Sequence, residues 1–255
     1  MFHRITLSIL ICTIFSVVGI NAQQPFITTW KTDNPGSSCS SCIEIPTSQS
    51  VSFLNYTYSY DIDWENDGVF DLIGVTGNVT HDYGSPGSYD VAIRGNFPHM
   101  YINNYSDRSK LVDIKQWGDI IWQDMVRSYR GAENLNISAI DSPNLSQVTD
   151  MEEMFRGASS LNSNLNSWDV SNITDMEAMF SGASIFNSNL NSWDVTSVTT
   201  MDNMFRNAIN FNSDITTWDM SNVSRITSIF SGASSFNQDI GNWDCLLYTS
   251  DAADE

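Results

Sequence analysis

The feature that most constrains this chain is a unit of 25 residues that repeats without insertion through its C-terminal half. A Trp-Asp pair and a Met-Phe pair (Ile-Phe in the last copy) both recur at that spacing. The Trp-Asp pairs begin at Trp168, Trp193, Trp218 and Trp243, and the Met-Phe pairs at Met154, Met179, Met204 and Ile229. Fixed-period self-similarity of this length is typical of a solenoid, in which each unit packs mainly on its neighbours. The repeat therefore favours an extended binding surface over an enclosed catalytic pocket.

Further positions in the repeat predict what its interior contains. Large apolar side chains recur in register and predict ladders that run from unit to unit, whereas one recurring alanine marks a place where only a small side chain fits. The alanines are Ala158, Ala183, Ala208 and Ala233, and a polar series beside them is Asn162, Asn187, Asn212 and Asn237. We expect these asparagines to hydrogen-bond along the stack, which is a structural role, and not to bind a ligand.

The segments within one unit are too short for regular helices. Residues 186–193 and 198–201 favour strands, and Met179–Ala183 is predicted to form a helical or 3-10 corner. In two stretches, Trp168-Asp-Val-Ser-Asn-Ile-Thr-Asp-Met176 and Met179-Phe-Ser-Gly-Ala-Ser184, the unit resembles the BspA-type leucine-rich repeat of bacterial surface proteins. The resemblance covers residues 124–244, including a degenerate first copy. It implies an exported bacterial protein, secreted or held at the cell surface, in a family associated with adhesion, and it names no ligand.

The segment 23–98 is predicted to contain short strands separated by turns. Phe26–Trp30 and Cys42–Ile45 alternate apolar and polar residues, as half-buried strands do. The segment resembles the polycystic-kidney-disease (PKD) type of immunoglobulin-like domain in three stretches: Tyr58-Ser-Tyr-Asp-Ile-Asp-Trp64, Val79-Thr-His-Asp-Tyr83 and Pro86-Gly-Ser-Tyr-Asp-Val91. It departs from that family in the loop 65–71, which replaces a short Gly-Asp-Gly turn. The resemblance implies a β-sandwich that serves as a spacer or a binding module.

The predicted fold class is therefore mainly β, with a PKD-like β-sandwich followed by a leucine-rich-repeat-like solenoid. Residues 99–123 are interpreted as a connector that caps the start of the solenoid. Residues 245–255 depart from the repeat. We interpret this tail as foreign or frame-shifted sequence joined after a truncation, and the alternative is a short capping segment.

Charge limits the partners. The formal net charge is -19, from 11 basic and 30 acidic residues. A field of this sign repels phosphate backbones, so we expect no nucleic-acid partner. It is compatible with cation binding and with an extracellular protein or polysaccharide as partner.

The N-terminal 22 residues have the pattern of a secretion signal. Arg4 gives a positive start, Ile5–Ile20 is apolar, and Ala22 offers a small residue for cleavage. A membrane span is the alternative, but the apolar run of about 16 residues is shorter than the roughly 18–20 that crossing a bilayer requires. We therefore expect no transmembrane span in the mature chain.

Two closely spaced cysteines lie in a loop of the predicted mature chain. Cys39 and Cys42 are separated by two serines and follow a loop-like Pro-Gly-Ser-Ser stretch. In an exported protein this pair is predicted to close a small local disulfide. The alternative is a redox centre, which would require a strand-to-helix junction at the same place.

The strongest candidate site is the acidic loop that follows Trp64. Side-chain oxygens at Asp63, Glu65, Asp67 and Asp71 occupy positions 1, 3, 5 and 9 of a loop, with Gly68 at position 6. This spacing predicts a calcium site, because calcium takes six to eight oxygen ligands and a glycine there permits the sharp turn. The glutamate expected at position 12 is replaced by a glycine. The alternative is an acidic hairpin tip that binds no ion.

Little in the sequence indicates catalysis. Histidine occurs at three positions, and the aspartates of the Trp-Asp pairs recur with the repeat, which favours an architectural role. We therefore expect no enzyme and predict a binding or adhesion protein that uses the repeat face. The alternatives are a structural spacer without a ligand, and an accessory carbohydrate-binding part of a larger secreted protein.

Overall fold

The computed structural model describes residues 23–48 and 56–244. The predicted signal segment 1–22 and the tail 245–255 lie outside the described residues. The described part is mainly β: it contains eight strands and no helix. Accordingly, no helix suited to crossing a membrane occurs in it.

The strands form two sheets. Their bounds are Phe26–Lys31 (β1), Cys42–Ile45 (β2), Ser59–Asp63 (β3), Leu72–Val75 (β4), Val79–Asp82 (β5), Ser88–Asn96 (β6), Leu111–Gln116 (β7) and Asn136–Ile137 (β8). Six strands form one sheet in the order β4-β3-β6-β1-β7-β8, and β2 pairs with β5 in the other. All pairings are antiparallel except that of β7 with β8.

Alternation along the strands sets which side chains are buried. In β1, Phe26, Thr28 and Trp30 are buried while the residues between them are partly exposed. Trp30 keeps its indole N–H satisfied by donating to Thr28 Oγ1 at 2.8 Å. Tyr58 and Tyr60 are buried on one face, as the alternation around β3 predicts. Large aromatic side chains are thus a main part of this core.

The connector 99–123 belongs to the six-stranded sheet. Its strand β7 pairs antiparallel with β1 on one side and parallel with β8 on the other. Because β8 lies in the first, degenerate repeat, the sheet continues into the repeat region. Trp117 and Trp122 are fully buried where the sheet meets the repeat region. The buried residues of both regions form one continuous cluster.

The 25-residue units stack on one another through backbone hydrogen bonds. Parallel bridges join Asp150 to Asp175, Asp175 to Thr200, and Thr200 to Arg225. Beyond each bridge, every second N–H donates to the carbonyl of a residue 24 positions later. For one coil these bonds are Met151 to Asp175, Glu153 to Glu177, Phe155 to Met179 and Gly157 to Ser181, at 2.8–2.9 Å.

The same peptide groups accept from the preceding coil and donate to the next one, so each row is a continuous chain of hydrogen bonds. One row runs from the N–H of Arg127 through the 152–153, 177–178 and 202–203 peptides to Thr227 O. At the start of this row, the carbonyl of Val126 lies 3.0 Å from His99 Nε2, which is its hydrogen-bond partner. In two neighbouring rows, the N–H groups of Ile102 and Asn104 donate to the first carbonyls, those of Ser128 and Arg130. Residues 99–104 thus supply the hydrogen-bond partners at the start of the stack, and we call them the cap.

The corner 179–183 was predicted to be helical or 3-10, and the structure instead contains a run of turns. The N–H groups between the stacking donors bond to carbonyls three residues earlier, as Ser181 does to Ala178. Ala178 and Gly182 have positive φ values of 53° and 76°, which interrupt a helix at every fourth residue. This geometry turns alternate peptides toward the neighbouring coil, and the bonds to that coil replace those of a helix.

The side-chain ladders occupy the interior of the stack. Rings of Phe155, Phe180, Phe205 and Phe230 are stacked in turn, with centroids 5.7–5.8 Å apart. Trp193 and Trp218 are nearly parallel at 6.4 Å. Ala158, Ala183 and Ala208 are fully buried, as their small size predicts. Each unit therefore depends on its neighbours for the burial of both of its faces.

Candidate functional site

The acidic loop follows β3 and is organised by the carboxylate of Asp63. This side chain is buried and accepts hydrogen bonds from three backbone N–H groups of the loop. They belong to Glu65, Asp67 and Gly68, at 3.3, 3.2 and 2.8 Å. Gly68 has a φ of 90°, which a side chain would strain. Asp63 thus fixes the loop whether or not an ion is bound.

Three of the four predicted ligand residues come together. Oxygens of Asp63, Glu65 and Asp71 lie within 4.8 Å of one another. Asp67 is not in this group, and its Oδ1 accepts the N–H of Val69 at 2.8 Å. The pKa of Glu65 is raised, mainly by partial burial and to a smaller extent by the negative charge of Asp71. A divalent cation would relieve this repulsion, although three carboxylates supply only part of a calcium coordination shell.

Aromatic packing holds the base of this loop. The Trp64 ring stacks on His81 at 4.8 Å, and Tyr83 Oη donates to the Trp64 carbonyl at 2.7 Å. On the other side, the guanidinium of Arg94 lies 3.7 Å from the centre of the Phe70 ring. His81 thus has a packing role in the described structure.

The predicted cysteine pair is joined by a disulfide, and its loop is anchored by a buried lysine. Lys110 Nζ donates to the carbonyls of Cys39 and Cys42 at 2.7 and 3.1 Å, and to Ser38 Oγ at 2.7 Å. Asp107, also buried, lies 3.5 Å from the same ammonium and accepts from the N–H of Ser38. The cluster ties the loop to the start of β7, which indicates a structural role.

The polar residues that recur with the repeat also satisfy backbone groups. Asn162, Asn187 and Asn212 each accept the N–H of the asparagine 25 residues later, at 2.7–2.8 Å. Asp169 Oδ1 accepts from the N–H and the hydroxyl of Ser171, and these bonds hold the pKa of Asp169 below its usual value. Both series therefore act within the stack.

An acidic cleft lies where the first sheet meets the first coils. It is lined by Tyr56, Asp124, Asp150 and Glu152, and Tyr56 Oη donates to Asp124 at 3.1 Å. Burial raises the pKa of Asp150 to about 6, and the negative charge of Asp175 also raises it. The hydrogen bond from the N–H of Glu152 acts in the opposite direction and lowers this pKa. Burial also lowers the pKa of His99, whose Nδ1 lies 3.9 Å from Asp124.

An arginine-rich surface, which was not predicted from the sequence, lies at the corners of the coils. The chain has eight arginines, and six of them share carboxylate partners or cavities along this surface. They are Arg108, Arg127, Arg130, Arg156, Arg206 and Arg225. The sequence does contain a pattern that indicates this surface: an arginine often follows the aromatic residue at the corner of a unit. Examples are Tyr129-Arg130, Phe155-Arg156 and Phe205-Arg206.

Glu153 is the centre of this surface. Its side chain is 8% exposed and forms ion pairs with Arg127 at 2.8 Å, with Arg130 at 2.7 Å, and with Arg156. Burial alone would raise the pKa of Glu153, but the hydrogen bond from Arg156 and the charge of Arg130 lower it. Arg127 also pairs with Glu152 at 2.6 Å, so three guanidinium groups face two carboxylates, which leaves one positive charge in excess in this cluster.

Two cavities open beside Arg156. The first, of about 270 Å³, lies between the cap and the first coils; we call it the arginine pocket, and Arg108, Arg130, Arg156, Glu133 and Asn104 line it. The second, of about 290 Å³, continues along the next coils and is lined in part by Glu177, Asn203 and Arg206. Together they form a polar groove along the corner surface.

Comparison with protein families gives one match. Residues 123–243 match a family described as "Mycoplasma protein of unknown function, DUF285". The matched segment coincides with the stacked repeats. Neither the curated proteins nor the solved structures contain a match to the chain.

Proposed function

We propose that the chain is an exported protein, secreted or held at the surface of a bacterial cell, that binds an extracellular protein or glycan through its repeats. One observation carries this proposal: the units stack in register, so the same side chains recur from coil to coil along one continuous surface. Surfaces built in this way suit extended partners. A BspA-type leucine-rich-repeat solenoid and a PKD-like β-sandwich are the architectures we propose for the two parts.

The polar groove at the corners is the part of this surface that best suits a ligand. It combines guanidinium, carboxylate and amide groups, whereas the asparagine and aspartate series outside it are occupied by backbone donors. Groups that already satisfy the backbone have less capacity left for a partner. We therefore place binding at the corner groove.

An array of extracellular matrix proteins and glycans tests this function. We expect saturable binding of the purified protein to at least one arrayed ligand, retained at 0.15 M salt, where exposed charges farther apart than about 8 Å are largely screened. Binding that disappears at this salt concentration, or that does not saturate, would contradict a specific site.

A spacer without a ligand is the second candidate. The continuous sheet through β7 and β8, with one buried core, favours it because the two parts are then joined rigidly. Absence of binding across the whole array would favour this candidate over adhesion.

A further inference from the structure

The arginine pocket has a charge opposite in sign to that of the chain. Three arginines and one glutamate contribute to its lining, whereas the chain as a whole carries -19. Among the residues that the structure describes, Arg108 is bound only to the carbonyl and side-chain oxygens of Asn104, both neutral groups. Arg156 has one ion pair, with Glu153, which it shares with two other arginines. The pocket therefore suits an anionic group, which arginine binds in a bidentate manner.

Glu133 favours a ligand that is more than a simple anion. One of its oxygens accepts the hydroxyl of Ser109 at 2.8 Å. Among the described residues, no hydrogen bond reaches the other oxygen, and the side chain is exposed at the pocket wall. A carboxylate in that place repels a second negative charge and accepts hydrogen bonds from hydroxyl groups. The ligand that fits both features carries a single anionic group and several hydroxyls.

Size and lining narrow the ligand further. A cavity of about 270 Å³ lies just below the usual range for ligand sites, which is roughly 300–1,000 Å³. It accommodates one ring of an oligosaccharide. The glycines at the pocket edge, Gly131 and Gly157, both have positive φ and leave the backbone accessible.

We propose that the arginine pocket binds one acidic sugar residue of an extracellular polysaccharide. Arg108 and Arg156 hold its carboxylate or sulfate group, and Glu133 accepts hydrogen bonds from its hydroxyls. This inference rests on the proposed binding function and specifies its ligand class. The chain continues to repel other polyanions at a distance, and binding depends on contacts within the pocket.

Calorimetric titration at 0.15 M salt with three tetrasaccharides tests the inference. A hyaluronan fragment supplies carboxylates, a carboxylate-free keratan sulfate fragment supplies sulfates, and chitotetraose is the neutral control. We expect binding of at least one acidic fragment and none of chitotetraose. The acidic fragment that binds identifies the anionic group, and equal binding of the neutral fragment would overturn the proposal.

Single substitutions assign the site. Arg108→Gln is expected to weaken binding at least tenfold, and Glu133→Gln several-fold, with unchanged thermal unfolding. Arg94→Gln removes the same charge from β6, where Arg94 pairs with Asp61, and is expected to leave the affinity unchanged. Equal losses in Arg94→Gln and Arg108→Gln, or tighter binding by Glu133→Gln, would contradict the assignment.

The array separates this inference from the broader function. If the protein binds another arrayed ligand and neither acidic fragment, the sugar assignment is wrong while the binding function stands. If it binds nothing at all, both are wrong.

Discussion

The side-chain oxygen of Asn187 accepts the backbone N–H of Asn212, one repeat later, at 2.8 Å. The same oxygen lies 3.1 Å from the hydroxyl of Ser213, which also donates to the Asn187 carbonyl. An asparagine at this position thus serves the coil that follows its own. The recurrence of this residue every 25 positions is explained by a bond between coils, without any ligand.

Loss of this bond is expected to weaken the stack. We expect Asn187→Ala to lower the free energy of unfolding by about 1 kcal/mol, because the N–H of Asn212 loses its acceptor. Asn191→Ala is the matched control, since that side chain is exposed and no hydrogen bond within the described residues involves it. Urea unfolding of both variants measures the difference, and equal effects would contradict the role assigned to Asn187.

The aromatic ladder is expected to contribute most at its middle. Phe205 is fully buried and stacks on Phe180, Phe211 and Phe230. Phe205→Ala is expected to cost about 3–5 kcal/mol of unfolding free energy, as for other buried phenylalanines. Phe230→Ala, in the half-buried last coil, should cost about half as much. Similar losses at both positions would show that the last coil is covered in solution.

Asp150 is expected to make stability depend on pH. Its folded-state pKa of about 6 exceeds the unfolded value of about 3.9, so the folded state disfavours the ionised form. The free energy of unfolding therefore falls as pH rises from about 4 through 6. Asp150→Asn should remove this fall, because asparagine does not ionise. The asparagine side-chain oxygen can still accept the N–H of Glu152. We expect the variant to gain about 1 kcal/mol over wild type between pH 4.5 and 7.5, after allowance for solvent screening.

Asp169 provides a control of opposite sign. Because hydrogen bonds from Ser171 lower its pKa, its ionised form stabilises the fold, and this contribution is lost as pH falls through the folded pKa. Asp169→Asn should therefore flatten a fall in stability toward low pH. Thermal unfolding across pH 3–8 measures both variants, and slopes of the same sign would refute the assignment.

Calcium is expected to bind the acidic loop weakly. Three carboxylates converge, and both oxygens of Asp63 are already hydrogen-bonded, so we expect a dissociation constant of about 0.1–1 mM, as in extracellular calcium modules. At ten times that concentration, linkage predicts about 1.4 kcal/mol of stabilisation. The double variant Glu65→Gln, Asp71→Asn should abolish the shift in melting temperature and Asp33→Asn should retain it. An unchanged wild-type melting temperature would favour the ion-free hairpin tip.

Much of the fold could be predicted because the repeat is regular in sequence. Phe155, Phe180 and Phe205 occupy equivalent places, so their stacking follows from the 25-residue period alone. The burial of Ala183 follows in the same way. The corner conformation could not be predicted, because the left-handed φ of Ala178 depends on bonds to the next coil and not on local propensity.

The two candidate sites also differ in how far they could be predicted from the sequence. Asp63 and Asp71 are eight residues apart on one hairpin, so the convergence of their carboxylates with Glu65 was visible in the sequence. The arginine pocket joins Arg108 in the connector to Arg156 in a later coil. Their proximity follows from how the connector packs on the first coils, beside the β7–β8 pairing, and the period of the repeat does not predict it because the connector lies outside the repeat.

The rows of hydrogen-bonded peptides give the stack an electrical direction. Their carbonyls point toward the cap at residues 99–104 and their N–H groups toward the last described coil. Each peptide carries a dipole of about 3.5 D, and in these rows the dipoles add across coils as they do along a helix axis. In these rows the positive ends of the dipoles point away from the cap, and each coil in register lengthens the row. The repeat number thus sets the length of these rows of aligned dipoles as well as the length of the array.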